Sequence, residues 1–441
     1  MKNILFKNGL YIILIKGGGT FLTFLLSIVL ARSLGSSGYG LYSFALSVLM
    51  IISIPIQSGI PILVVRETAR AVSENNYPLI GLLRSWSYRL ILTYAMVVSV
   101  VLICGIVFEG PLIDNHRFFV SLVGLLSVPF IVLTLMQSAI IRGIGSVVVG
   151  VIPDGFLRPL LNIILIFGLF SIVGKMEISA MQAIFLYGLS AAGTLFVTYL
   201  ILKLLTKKVN LDTRSCEKIP KKWQLSLRTL TVVGGAQLLF SYLDILILGF
   251  YSEDSEVGVY RVAVQFSIIV GFGLTVLNQM LHPLFSRLYA EKNISALQKL
   301  VVNSSLAIFT LAIVPTIIFF LLGEYLLNHI FGLEYKEAAI ALKILVLGQL
   351  VNAACGSVGA LLNMTGHEKD AMAGMLVALL LNIILAFILI PIFGIEGAAM
   401  SSAFSLAVWN IILRYFVKKR LAIESSSLLF FLKKSWQVCF K

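Results

Sequence analysis

Lys16, Thr20, Thr23 and Ser27 are spaced four, three and four residues apart. On a helix of 3.6 residues per turn they fall on one narrow stripe. The run that holds them, residues 10–31, is apolar and long enough to cross a bilayer. A charged side chain inside such a run costs ~2.5–3.5 kcal/mol at a helix centre and is kept where it faces a cavity or a partner. A fixed ammonium above a row of hydroxyls suits an anion such as a phosphate, to which lysine contributes as a point charge. Two other roles compete: Lys16 can snorkel to the inner surface, and the hydroxyls can pack or bond back to their own helix carbonyls.

A second stripe, Gly234, Gln237, Ser241 and Asp244, has spacings of three, four and three. Thr23 and Ser241 lie 218 positions apart. That offset recurs elsewhere in the chain, so both stripes are expected to line a substrate cavity. Asp244 is the one acid well inside an apolar run, and it is too short to snorkel. It either pairs with a cation or takes up H+ or Na+ as a coupling site. Arg261 and Gln265 share one face of the next run, although Tyr260 beside Arg261 also suits the headgroup belt. Lys343 and then Gln349, Asn352, Gly356, Gly359 and Asn363 form a further stripe, with glycines for packing and amides for a cavity. Asp154 and Arg158, flanked by Pro153 and Pro159, form a local ion pair on a distorted helix.

Catalytic and cofactor chemistry has no foothold. Neither a P-loop nor a Walker motif is present, so ATP hydrolysis does not power the chain directly. The four histidines form no cluster, and the four cysteines have neither metal nor disulfide spacing. No metal, no cofactor and no enzyme activity are expected.

The elements that carry these residues are membrane spans. Of the 441 residues 59% are hydrophobic and only 12% charged, against about 25% charged in soluble proteins. Twelve spans are expected at 10–31, 39–63, 86–108, 118–140, 148–174, 179–203, 227–250, 257–280, 301–322, 338–362, 371–393 and 396–417. With the N-terminus inside, 27 of the 34 Lys and Arg fall on the cytoplasmic side and six on the outer side, which places both termini in the cytoplasm. The same rule accounts for the net charge of +14, so nucleic acid is not a partner. The basic stretch 203–228, broken by Pro220, reads as a linker between halves. The expected division is an N-terminal six-helix lobe, 1–203, a cytoplasmic linker, 204–226, a C-terminal six-helix lobe, 227–417, and a basic tail, 418–441. Segment 64–88 and the tail can lie on the inner leaflet against anionic lipids.

The halves repeat. Gly40-Leu41-Tyr42 recurs as Gly258-Val259-Tyr260, and Leu160–Leu165 recurs as Leu380–Leu385, at offsets of 218 and 220. Six spans per half is an even number, so the repeats run parallel, a transporter pattern.

The stretches ARSLGSSGYGLYSFALSVL (31–49), SGIPILVVRETAR (58–70) and PIFGIEGAAMSSAFS (391–405) resemble the polysaccharide repeat-unit (O-antigen-type) flippases. These belong to the multidrug/oligosaccharidyl-lipid/polysaccharide exporter superfamily. The resemblance implies an all-α membrane protein with two six-helix lobes in a V shape, in the bacterial inner membrane. It implies transfer of an undecaprenyl-diphosphate-linked glycan from the cytoplasmic to the periplasmic leaflet by alternating access. Membrane lipids, a polysaccharide polymerase and chain-length machinery are the partners it implies. A cation-coupled multidrug exporter of the same superfamily is the alternative. A membrane polymerase or ligase would need a large outer loop, and the longest here, 323–337, is short.

The orientation has a direct test. Cys216, in the basic linker, is expected to react with a membrane-impermeant thiol reagent only after the inner membrane is opened. Labelling in intact spheroplasts would reverse every inner and outer assignment.

Overall fold

The structure, a computed structural model, describes residues 2–107, 115–174, 177–207 and 220–425, with no side-chain detail for 2–8, 10, 101–107 and 115. Cys216, most of the linker and the tail beyond Ser425 lie outside the described residues. Among those described, every regular element is a helix and none is a strand. The chain divides into two compact units, Met1–Tyr242 and Leu243–Lys441.

The N-terminal unit opens with α1, Lys2–Ile52, which holds two passes joined at Gly35. There φ is +69°, a conformation that glycine adopts without Cβ strain. The second pass breaks twice and restarts as α2, Ile54–Gln57, and α3, Ile60–Ser73. Pro55 and Pro61 open these restarts at the first turn, where a missing N–H costs nothing. A tight turn with Asn75 at φ +52° leads into α4, Tyr77–Val107. Segment 64–88 therefore comprises most of α3, the turn at Asn75 and the first part of α4. The fourth pass is α5, Asn115–Leu125, with α6, Val128–Gly143. The fifth is α7, Val147–Ile152, a π-turn at Pro153–Leu157, and α8, Arg158–Val173. The sixth is α9, Ala180–Thr206, started by a capping box in which Ser179 and Gln182 satisfy each other's backbone N–H groups.

Helix α10, Lys221–Tyr251, is the seventh pass and crosses the boundary between units. The division falls inside this helix rather than in the linker, because its first half packs onto the broken second pass. Trp223 is fully buried and stacks at a tilt on Trp86, 5.6 Å between rings. Ser58 donates to the Thr231 carbonyl at 3.3 Å, and Arg66 Nη2 donates to Ser226 at 3.1 Å.

The C-terminal unit continues with α11, Asp254–Ala290, and α12, Ile294–Ile330. Pro283 and Pro315 are accommodated inside these two helices without a break. The tenth pass is α13, Ala338–Cys355, with α14, Val358–Met364, and it breaks at Gly356, where φ is +73°. Helix α15, Glu368–Leu421, holds the last two passes across a kink at Gly394, φ +53°. Gly174 and Gly394, 220 positions apart, both have positive φ but differ in ψ, 12° against −121°, so both are breaks that glycine allows, of different geometry. Asn162 and Asn382, at the same offset, are both buried.

Residues 418–425 do not form a free tail. Lys418–Leu421 end α15, Ala422 turns with φ +56°, and 422–425 fold back as a strap. Glu424 exchanges both backbone hydrogen bonds with the Gln298 amide, at 2.8 and 2.9 Å. Its carboxylate accepts from Arg414 Nε and Nη2. Ile423 enters a core cluster with Leu297, Leu361 and Val417.

Nine helices, counted among the described residues, are long and apolar enough to cross a membrane, and two of them are the double passes. Large apolar side chains such as Phe21, Ile172 and Leu321 point outward, as expected where lipid is the solvent. The chain is a multi-pass membrane protein.

One close approach holds the first and fifth passes together. A Cβ on Gly19 would collide with the Gly155 carbonyl oxygen in the π-turn. Gly19→Ala is therefore expected to cost at least the ~1–3 kcal/mol of an overpacked core, read as a lower melting temperature in detergent. Gly168→Ala, which meets nothing within 4 Å, is expected to leave it unchanged or slightly raised.

Candidate functional site

The N-terminal unit holds a cavity of about 680 Å³. That volume lies within the ~300–1,000 Å³ usual for ligand pockets. Its walls come from α2, α3, α6 and α10. The polar lining is Gln57, Ser58, Arg66, Arg142, Gln237 and Ser241, with Pro61, Leu135 and Leu238 among the apolar contacts. No carboxylate lines it. The α2 and α3 restarts aim Gln57 and Arg66 inward, because each break at Ser53 and Ser58 turns the helix before an apolar run can bury those positions.

Two of the expected cavity residues, Gln237 and Ser241, are in this wall. Ser241 donates to the Gln237 carbonyl at 3.0 Å, which leaves its oxygen lone pairs available. The first-span stripe is not among the lining residues. Thr20 donates to the Lys16 carbonyl at 2.9 Å, Thr23 to Gly19 at 2.8 Å, and Ser27 to Phe24 at 2.7 Å. All three hydroxyls follow the back-bonding alternative, and Ser27 is buried in packing.

Lys16 is half-buried and electrostatically coupled to two groups on other passes. Arg142 repels it and Asp154 attracts it. Asp154 in turn pairs with Arg158 Nη2 at 2.6 Å across the π-turn, and Arg158 lies 5.8 Å from the Tyr187 ring. Arg142 rests its stem against Gly150 and donates from Nε to its own Ser138 carbonyl at 3.3 Å. Arg66 pairs with the buried Glu67 at 3.0 Å. Among the described residues Lys16 and Arg142 have no carboxylate within ion-pair distance.

Sequence reasoning missed Gln57, Arg66 and Arg142 as site residues. The two arginines were absorbed into the count of inward-side cations. The signal available was position: Arg142 ends an apolar helix, and Arg66 follows two proline-marked breaks.

The C-terminal unit has a different polar centre. Asp244 is 5% exposed and accepts a short hydrogen bond from Ser402. Asn382 and the Tyr260 hydroxyl face the same carboxylate. Oδ1 of Asp244 and both amide atoms of Asn382 lack well-formed hydrogen bonds. Its neighbours are thus neutral hydroxyl and amide groups. The ion pair considered for Asp244 is not seen among the described residues.

The remaining expected residues are spread through this unit. Arg261 is half-buried beside Tyr260, and Gln265 is buried. Lys343 lies over the Phe320 ring at 5.5 Å. Asn352 donates to Gln349 Oε1 at 3.2 Å, and that oxygen packs on Gly271 of α11. The stripe does not continue down one face, because the helix breaks at Gly356 where Ser305 and the Ser425 carbonyl approach.

The two polar centres thus sit on helices of one multi-pass fold. The same fold is found in an inward-facing multidrug resistance MATE family transporter, with a TM-score of 0.73 at 13% identity over 92% of this chain and 94% of that one. The lipid II flippase MurJ in an inward closed conformation gives 0.72 at 11% identity over 92% and 87%. A family model described as "Polysaccharide biosynthesis protein" matches residues 5–289, and the MatE model matches 232–388. The chain belongs to the polysaccharide biosynthesis protein family. Among curated relatives, the probable low-salt glycan biosynthesis flippase Agl15 of Haloferax volcanii is 25% identical over 193 residues, 44% of this chain and 40% of that protein. The capsular polysaccharide biosynthesis protein CapF of Staphylococcus aureus is 28% identical over 162 residues, 37% and 41%. The match thus spans about two fifths of the length of each.

Proposed function

We propose that this protein is a flippase that moves a lipid-linked oligosaccharide from the cytoplasmic to the periplasmic leaflet of the bacterial inner membrane. The carrier is undecaprenyl diphosphate, the product serves surface polysaccharide synthesis, and the motion is alternating access between two lobes. Both termini are cytoplasmic.

The observation that carries this reading is the charge of the N-terminal cavity. Arg142 lines it together with Arg66, and neither Arg142 nor Lys16 has a carboxylate within ion-pair distance among the described residues. Uncompensated cations in an apolar surround are costly, and a diphosphate supplies the missing charge. The amides of Gln57 and Gln237 and the Ser241 hydroxyl suit a sugar or phosphate oxygen. The polyprenyl tail stays in lipid. Family membership and the flippase names of the relatives support the same class. A cation-coupled drug exporter would want acidic groups in this wall, and none is among its described lining residues.

Asp244 is the proposed coupling site for H+ or Na+. A buried carboxylate ringed by Ser402, Asn382 and Tyr260, with lone pairs to spare, offers oxygen ligands to a small hard cation or a place for a proton.

Two tests follow, both read as surface polysaccharide in a strain lacking its own copy of the gene. Lys16→Arg is expected to keep most activity, Lys16→Ala to lose most of it, and Lys16→Glu to abolish it, with membrane levels equal by immunoblot. Full complementation by Lys16→Glu would remove the cation from the mechanism. Asp244→Asn is expected to make transport independent of the external ion or pH while the protein still inserts. Unchanged ion dependence would exclude Asp244 as the coupling group.

A further inference from the structure

Arg66 is a cavity cation whose head is held from two sides. Its Nε donates to Glu67 Oε1 at 3.0 Å, and Nη2 stands 3.0 Å from the same oxygen. Nη2 also donates to Ser226 Oγ on α10 at 3.1 Å. Adjacent residues on a helix do not face each other, so the long arginine stem has to curl round to make this pair. The two ends differ sharply in burial: the Glu67 side chain is 5% exposed and that of Arg66 52%. The carboxylate is therefore the fixed end, and the guanidinium hangs from it at the cavity wall. A guanidinium has five N–H groups in a rigid fork. With Nε and Nη2 tied to Glu67 and Ser226, the Nη1 edge is left for a ligand. The fourth pass comes close at the same level. A Cβ on Gly143, the residue after Arg142, would lie 2.5 Å from Thr68 Cβ and 3.1 Å from the Val65 carbonyl oxygen. Those two residues flank Arg66 and Glu67, and Arg66 and Arg142 line the one cavity.

Resting on the flippase reading above, we infer that Glu67 is a positioning residue for the cargo: it fixes the Arg66 guanidinium so that its Nη1 edge meets a diphosphate oxygen in the cavity that Arg142 also lines. A fork held in advance loses less freedom when the anion arrives. The accompanying cost is a partial cancellation of the Arg66 charge. Geometry and charge therefore predict opposite effects of removing Glu67. Acting through its charge alone, it would oppose an anion, and its removal would tighten binding. Acting as a positioning group, it holds the fork, and its removal weakens binding. A purely structural pair has a third signature, since its loss would lower stability and leave affinity alone.

The test is calorimetry on the purified full chain in detergent, with farnesyl diphosphate as probe and farnesol as the headgroup-free control. Glu67→Ala is expected to bind farnesyl diphosphate about tenfold more weakly than wild type, the scale of one oriented charge-assisted hydrogen bond. Glu67→Gln removes the charge and keeps an oxygen that can accept from Arg66 Nε, so its affinity is expected to be no weaker than wild type. Ser226→Ala removes the second tie and is expected to lose about threefold. Farnesol binding is expected to be unchanged throughout. Equal or tighter diphosphate binding by Glu67→Ala would overturn the inference, and so would a loss in Glu67→Gln as large as that in Glu67→Ala. If Glu67→Ala does not accumulate, Arg66→Lys decides, because it keeps the charge and removes the fork. A loss of about tenfold is expected there, and wild-type affinity would overturn the inference equally. Arg142→Ala and Arg66→Gln are measured alongside. If both leave probe binding unchanged, the diphosphate reading itself fails. If they weaken it while Glu67→Ala does not, only the role of Glu67 fails.

Discussion

Charge without a counter-charge is the constraint from which the N-terminal unit is built. Lys16 and Arg142 lie among apolar helices with no carboxylate within ion-pair distance among the described residues, and Asp154 pairs with Arg158. Removing ions from water costs several kcal/mol each even after relaxation, and a missing partner is worse than a missing pair. The proposed anionic cargo would supply the missing charge. The glycines at 19 and 155 follow from it, because they let the first and fifth passes approach closely enough for the charges to interact. The broken second pass follows as well, since a straight helix could not turn both Gln57 and Arg66 toward the same space.

The C-terminal unit handles polarity in the opposite way. It places one acid among neutral donors and acceptors and leaves lone pairs open. That setting is what the proposed coupling role of Asp244 rests on. Helix α10 carries Gln237 and Ser241 in one unit and Asp244 in the other, within two turns.

The fold was largely legible before the coordinates. Span length and charge asymmetry identify the passes because a bilayer enforces both. The repeat at 218–220 reappears as a buried asparagine in each half, Asn162 and Asn382. What stayed hidden was direction. Thr20, Thr23 and Ser27 have the spacing of a cavity stripe and the hydrogen bonding of helix interiors, and spacing does not separate the two. Arg142 was concealed for the converse reason, since a cation at the inner end of a span satisfies the topology rule whether or not it binds anything. Asn382 had a readable signal, as the single polar residue in an apolar hexamer that occurs twice. Ser402 did not, and only the α15 kink brings it to Asp244.

The strap at 422–425 sets a schedule for biogenesis. Gln298, Arg414 and the apolar cluster around Leu297 and Val417 are all synthesised before the residues that complete them. Until Ser425 has left the ribosome, the α12 start and the α13–α14 break keep an open apolar groove and an unmatched arginine. The N-terminal unit can consolidate during translation, but the C-terminal one must wait for its last described residues. That interval is when a membrane chaperone would find the chain most exposed, and a stop codon before the strap at 422 would leave the molecule in it permanently.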